Sequence, residues 1–316
     1  MVERREQGVW YERHEEAAGT EEYKVKRKLS TGDRVFTIVV ILILILVCLC
    51  VVYPIYYMLI VSISDGYAVT RGEVNLLPKG INFAAYKAIL SNKYVPNSYK
   101  NTIIYTVSGT LVNLVMTGLC AYPLSRKHFY GRHVFNAVIV FTMFFDAGII
   151  SQYMVVNSLH MRNTIWALII PGAISVWYMM IMRTFFAEIP EDLFESARLD
   201  GANDLRIFVS VVVPLSKAVM ATMVLFYAVG HWNAFLTPLI YLDDRNKLPM
   251  QLILRNIVMG TDASIGGSMS ISSDVATMSM NIKYAAIFIT ILPILVVYPF
   301  VQKYFVKGVM VGSVKG

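Results

Sequence analysis

Six stretches of this chain are too long and too apolar to sit at the surface of a soluble protein. Residues 35–61, 101–125, 163–182, 218–242 and 284–302 hold no Lys, Arg, Asp or Glu, and 134–161 holds one, Asp146. About 20 apolar residues let a helix cross a hydrocarbon core of about 30 Å. A helix is suited to that medium because it bonds its own backbone N–H and C=O groups. A soluble fold would have to bury all six in 316 residues of which 16% are charged, against about 25% in soluble domains. No strand-like alternation of any length competes. The expected class is an all-α integral membrane protein with six spans.

The net charge of +7 raises the question of a nucleic-acid partner, and its distribution argues against one. With the N-terminus in the cytoplasm, six crossings return the C-terminus there. Segments 1–34, 126–133, 183–217 and 303–316 then carry 18 Lys and Arg, and the outer segments carry 10. That is the sense of the positive-inside rule. The expected layout is a cytoplasmic arm 1–33, a six-helix domain 34–308, outer loops 62–100 and 243–283, and a cytoplasmic tail 309–316. The arm mixes eight acids with seven bases and reads as a mobile segment or a surface helix beside the membrane. The first apolar run is too long for a cleaved leader. Cys48, Cys50 and Cys120 fall inside apolar runs, where they read as small hydrophobes rather than a bridge or a metal site.

Within the runs, polar residues mark helix contacts or a pathway. Ser108, Gly109, Asn113, Thr117 and Gly118 stud run 101–125. A carboxylate at mid-membrane is costly, so "DAGIISQY" around Asp146 predicts a helix break near the outer leaflet, with Asp146 on the pathway as the alternative. Pro54 and Pro171-Gly172 predict kinks. "INFAAYKAIL" has the spacing of a helix packed on the outer surface. His231 reads as a helix-contact residue. Trp232 and Asn233 suit either helix packing or the path of a hydroxyl-rich solute, since aromatic faces and amides match apolar rings and hydroxyls.

The segment "FESARLDGANDLRIFVSVVVPL", 194–215, interrupts these runs with charges and punctuation. Pro190 suits the first turn of a short helix, and Glu191, Asp192 and Glu195 complement its positive end. Leu193, Phe194 and Ala197 are expected to share a face. Gly201 is the natural left-handed stop, Asn203 or Asp204 caps a second short helix, and Pro214 bends the chain into the next span. Such a helix is too short to persist alone in water. Its apolar face needs a groove, and its connections would pass any push to the spans on either side.

"ESARLDGANDLRIFVSVVVP" resembles the EAA loop of ABC-importer permeases, with Glu195, Ala197, Gly201 and Pro214 in register and Ser196 in place of the first Ala. "WNAFLTPLIYL" and "GVMVGSVKG" are similar to the carbohydrate branch that includes the maltose permease MalG. "LPMQLILRNI" and "LPILVVYPFVQKYFVKG" resemble its LplC/YtcP-like subgroup. Ser151 stands where that subgroup often has proline, and Asp146 where a small residue is usual. The resemblance implies a type I ABC importer permease fold. It implies a second, different permease subunit, two cytoplasmic ABC ATPase subunits, an extracytoplasmic solute-binding protein and a sugar substrate. It places Glu195, Ser196, Ala197, Asp200, Gly201, Ala202 and Pro214 of coupling loop 187–216 against the ATPase. Asn113, Asp146, Trp232 and Asn233 are the candidate pathway residues. The chain has no GxxxxGK[ST] phosphate loop, no HExxH and no paired-Cys metal pattern, so it is expected to bind no cofactor and to catalyse nothing itself. A same-fold permease for a peptide or amino acid, an ion-coupled carrier and a non-transporting sensor are the rivals.

Overall fold

A computed structural model describes residues 31–145, 147–259 and 280–299. Among these the chain is helical and contains no strand. It divides into two units, one ending at Val52 and one beginning at Tyr53. Helix α1 (Thr31–Ser62) runs on through Pro54, where a kink was expected. Its large apolar side chains from Val35 to Val52, Val40 excepted, are exposed, a surface that only lipid or other apolar groups satisfy.

In the second unit, α2 (Gly66–Thr70) starts on an Asp65 cap. Helix α3 (Ala84–Leu90) lies within the "INFAAYKAIL" segment and buries Ala85 and Ile89. Helix α4 (Tyr94–Ser125) is the central member, burying the small and polar side chains Ser98, Thr102, Gly109, Asn113, Thr117 and Gly118. These let neighbouring backbones approach closely, as helix packing in lipid requires. Run 134–161 breaks as expected, into α5 (Arg132–Phe144) and α6 (Gly148–Ser158). Asp146 itself lies outside the described residues, as do arm residues 1–30, the middle of the last outer loop and the tail.

Two other runs depart from expectation. Run 163–182 is parted rather than kinked: it forms α7 (Trp166–Ile169), a non-helical stretch across Pro171-Gly172, and α8 (Val176–Ala187). The coupling segment follows as α9 (Glu191–Leu199), α10 (Asp204–Ile207), a wide π turn at Phe208–Val212 and α11 (Val213–Leu215). Run 218–242 forms α12 (Lys217–Trp232) and α13 (Leu236–Tyr241). Helices α14 (Met250–Val258) and α15 (Met280–Pro299) complete the described chain. Among the described residues three helices, α1, α4 and α15, are each long and apolar enough to cross a membrane, and two bent pairs, α5 with α6 and the stretch Asp204–Leu215 with α12, qualify when their halves are taken together.

One core cluster joins α4, α8, α9, the π turn and α12 through Tyr122, Met182, Phe186, Phe194, Phe208 and Met223. A second joins α3, the start of α4, α14 and α15 through Ile89, Val95, Ile253 and Ala286. Between α13 and α14, Asn101 of α4 donates to the carbonyls of Asn246 and Leu248 (2.7 and 3.2 Å), and Tyr105 donates to that of Lys247 (2.8 Å). The side chains of α4 thereby bond a turn whose own backbone leaves those carbonyls free.

Candidate functional site

Each punctuation mark of segment 190–215 has a structural counterpart. Pro190 occupies the N-cap of α9, one position before the first turn, with φ −55° and ψ 136°. Glu191 and Asp192 fill that turn and Arg198 the last one, matching the helix dipole at both ends. The helix ends in a Schellman motif: Gly201 N–H donates to the Arg198 carbonyl and Ala202 N–H to that of Ala197, both at 3.0 Å. Gly201 has φ +77°, and nothing lies within 4 Å of where a Cβ would sit, so its role is conformational. Asn203 rather than Asp204 caps α10, its Oδ1 accepting from Arg206 N–H at 2.8 Å. Pro214 has no N–H to return to the preceding turn, which fits the wide turn just before it. The chain then bends by 87° at Ser216 into α12.

Phe194, Ile207 and Val212 have no exposed surface, and Phe208 is buried beside them. Phe194 stacks on Tyr122 at 6.5 Å between centroids, and Phe208 meets Tyr122 at 5.5 Å and Phe186 at 6.3 Å. Burial of one such ring contributes about 2–3 kcal/mol, so the segment is rooted in the main core. Leu193 does not share that face as expected; it is 42% exposed. Ala197 and Ala202 are half-buried, while Glu195, Ser196, Asp200, Gly201 and Pro214 are exposed. Leu199 and Leu205 stand out at 89% and 62% exposure. The free surface therefore pairs carboxylates with bare leucines, a combination suited to a partner's groove.

Arg126, one of the inner-segment cations in the charge count, is 7% exposed. Its guanidinium lies 3.8 Å from the Phe194 ring centroid and 3.5 Å from the Glu191 carboxylate. Nothing in "RKHFYGRH" distinguishes it from its neighbours; only the position of α9 does.

Deeper, a cavity of about 240 Å³ lies among α4, α7, α8, α12 and α13, with Tyr105, Asn113, Tyr178, Phe226, His231 and Thr237 in its wall. Asn113 Nδ2 donates to the carbonyls of Gly172 (2.6 Å) and Ala173 (2.9 Å), in the stretch where α7 and α8 are parted. With its amide nitrogen so engaged, its Oδ1 must accept from His231 Nε2 at 2.6 Å. That assigns the Nε2–H tautomer to His231. One turn along, Tyr227 Oη pairs with Thr117 Oγ1 (2.7 Å) and accepts from Ser175 N–H (3.2 Å). Two polar rungs between α4 and α12 thus satisfy backbone groups that the break frees. Asn113 lines the cavity. Trp232 and Asn233 do not: Asn233 is the exposed C-cap of α12, 3.4 Å from Gln251 Nε2. His231 joins α12 to α4. No cluster of three metal-ligating side chains occurs among the described residues.

A bundle of long apolar helices with an amphipathic helix rooted in its core and a cavity among its members fits a membrane transport component. The chain belongs to the family described as "Binding-protein-dependent transport system inner membrane component", which matches residues 115–311. It is thus a membrane component of such a transport system. It is 38% identical over 284 residues to "Polygalacturonan/rhamnogalacturonan transport system permease protein YtcP" of Bacillus subtilis (strain 168), covering 90% of this chain and 99% of that one. It is 39% identical to "Protein LplC" of the same organism, covering 90% and 96%. Among solved structures, a chain of "a bacterial ABC transporter involved in the import of the acidic polysaccharide alginate" superposes with TM-score 0.80 at 36% identity, covering 89% of this chain and 100% of that one. The fold is that of a type I ABC permease.

Proposed function

We propose that this chain is one of two different permease subunits of an ATP-driven, binding-protein-dependent importer of a sugar or oligosaccharide. The observation that carries this is the exposed surface of α9 on a helix rooted in the core by Phe194. A groove that closes on Glu195, Ser196, Asp200 and Gly201 moves α9 as a rigid piece, and the shared core carries that motion into α4, α8 and α12. Ala197 and Ala202 shape the end of the piece, and Pro214 shapes its exit. Two copies of a cytoplasmic ABC ATPase supply closure by binding ATP and Mg; this chain holds no cofactor. An extracytoplasmic binding protein delivers solute toward loop 243–283. Sugar is the favoured cargo because YtcP and the alginate transporter are named for saccharides. The aromatic and hydroxyl lining of the cavity, with Asn113, suits that chemistry, and Asp146 is a further pathway residue of this reading. Six spans with both termini cytoplasmic follow from the apolar runs and the excess of inner Lys and Arg.

Single cysteines test this reading in a background with Cys48, Cys50 and Cys120 replaced. S196C and L199C are expected to crosslink to the ATPase and to resist impermeant thiol reagents in intact cells, while L77C is labelled from outside. E195K is expected to insert normally and to lower the S196C crosslink about tenfold, the loss that a reversed charge at a docked carboxylate produces. Labelling of S196C from outside would reject the reading. A peptide rather than a saccharide on the copurified binding protein would reject sugar alone.

A further inference from the structure

The geometry points to Arg126 as the positioning residue that fixes the angle of the surface helix, so that a displacement of α9 is passed to α4 and α8 together. This rests on the reading of α9 as the element an ATPase grips. Arg126 follows directly on α4 and is almost wholly buried. Its Nε donates to Ser125 Oγ at 3.0 Å. One terminal nitrogen donates to the Phe186 carbonyl in the last turn of α8, where the backbone lacks a partner of its own. The other faces the Glu191 carboxylate at 3.5 Å, in the first turn of α9. The guanidinium carbon lies over the Phe194 ring, 3.8 Å from its centroid. One side chain therefore holds the ends of two membrane helices and both the charged start and the aromatic anchor of α9.

A charge that served only to orient the chain in the membrane would stay in water. Burial is costly for a guanidinium unless its donors are met, and burial pulls the Arg126 pKa down while Glu191 pushes it back up. A buried ion pair is a poor source of stability compared with apolar packing. What it supplies is direction. Apolar contacts such as Phe194 on Tyr122 let a helix roll, whereas a planar fork bonded at fixed angles does not. The other ion pair of the segment, Arg198–Asp204 at 3.8 Å, joins α9 to α10 and reaches no membrane helix. Without Arg126, α9 would be held to the bundle by its two chain links and by apolar contacts alone, centred on Phe194. Lysine can pair with Glu191, but it cannot stack on the ring and reach the Phe186 carbonyl at once.

The test uses the assembled transporter with its ATPase, free of native cysteines and carrying A234C in the cavity wall. The rate at which a polar methanethiosulfonate labels A234C is compared with and without Mg·ATP and vanadate. With Arg126 present, trapping is expected to change that rate about tenfold, a moderate population shift. R126A is expected to change it less than about twofold, while S196C still crosslinks to the ATPase; R126K is expected to fall between. A response of parental size in R126A overturns the proposal. So does a parent whose cavity ignores nucleotide, since no motion is then passed on. If R126A does not assemble, R126K and E191Q decide: a reduced response in assembled complexes supports the clamp, and an undiminished one refutes it. If S196C never crosslinks even with Arg126 in place, the coupling reading of α9 is what fails.

Discussion

Replacing Gly109 with alanine probes the polar rung at the centre of the bundle. A Cβ built on Gly109 would lie 2.5 Å from Nε2, 2.6 Å from Cε1 and 2.8 Å from Cδ2 of His231. Ordinary contact needs about 3.5 Å, so the ring must retreat by roughly 1 Å. It has room, because the cavity lies beside it. Retreat stretches its 2.6 Å bond to Asn113 beyond the range of a hydrogen bond. Asn113 is 1% exposed, and a buried acceptor left unmet costs about 1–3 kcal/mol. Residual crowding adds about 1 kcal/mol, and alanine's better helix propensity offsets about 1 kcal/mol. The net expectation is a loss of about 1–3 kcal/mol. Unfolding of purified protein in a denaturing-detergent titration measures it, with H231A and G109A/H231A completing a double-mutant cycle. In the H231A background G109A should be neutral or slightly stabilising, since the obstacle is gone. Equal destabilisation with and without His231, or none in the parent, would refute the argument.

Two further outcomes follow from the same structure. G201A meets no atom within 4 Å but must hold φ +77°, costing about 1–2 kcal/mol; amide exchange at residues 201 and 202 should quicken about fivefold or more, with the core unchanged. Y227F strands Thr117 Oγ1 and Ser175 N–H, so it should cost about 1–3 kcal/mol, and T117V should cost much less in that background than in the parent.

Much of the surface helix was legible residue by residue. Pro190, Gly201 and Asn203 act through the backbone within a few positions of themselves, and short-range signals of that kind survive in a linear chain. Which face of α9 turns inward was only half legible: Phe194 was placed correctly and Leu193 was not, because a nine-residue helix offers two apolar neighbours and only the position of Tyr122 chooses between them. The breaks at 170–175 and 233–235 were read as a kink and as nothing. Pro171-Gly172 weakens a helix; parting it needs someone to bond the freed carbonyls, and that someone is Asn113, 59 positions earlier.

By itself the sequence determined the medium and the punctuation. Long charge-free runs leave no choice but lipid, since burial free energy scales with apolar area whatever the arrangement. A glycine or cap likewise ends a helix through local sterics and hydrogen bonds. Tertiary structure decided which polar groups meet. Arg126 with Glu191 and Phe186, and Asn113 with His231 and Gly172, are pairings across 59 to 118 positions, free of any local signature, because a hydrogen bond depends on ångström-scale placement that only the packed helices fix.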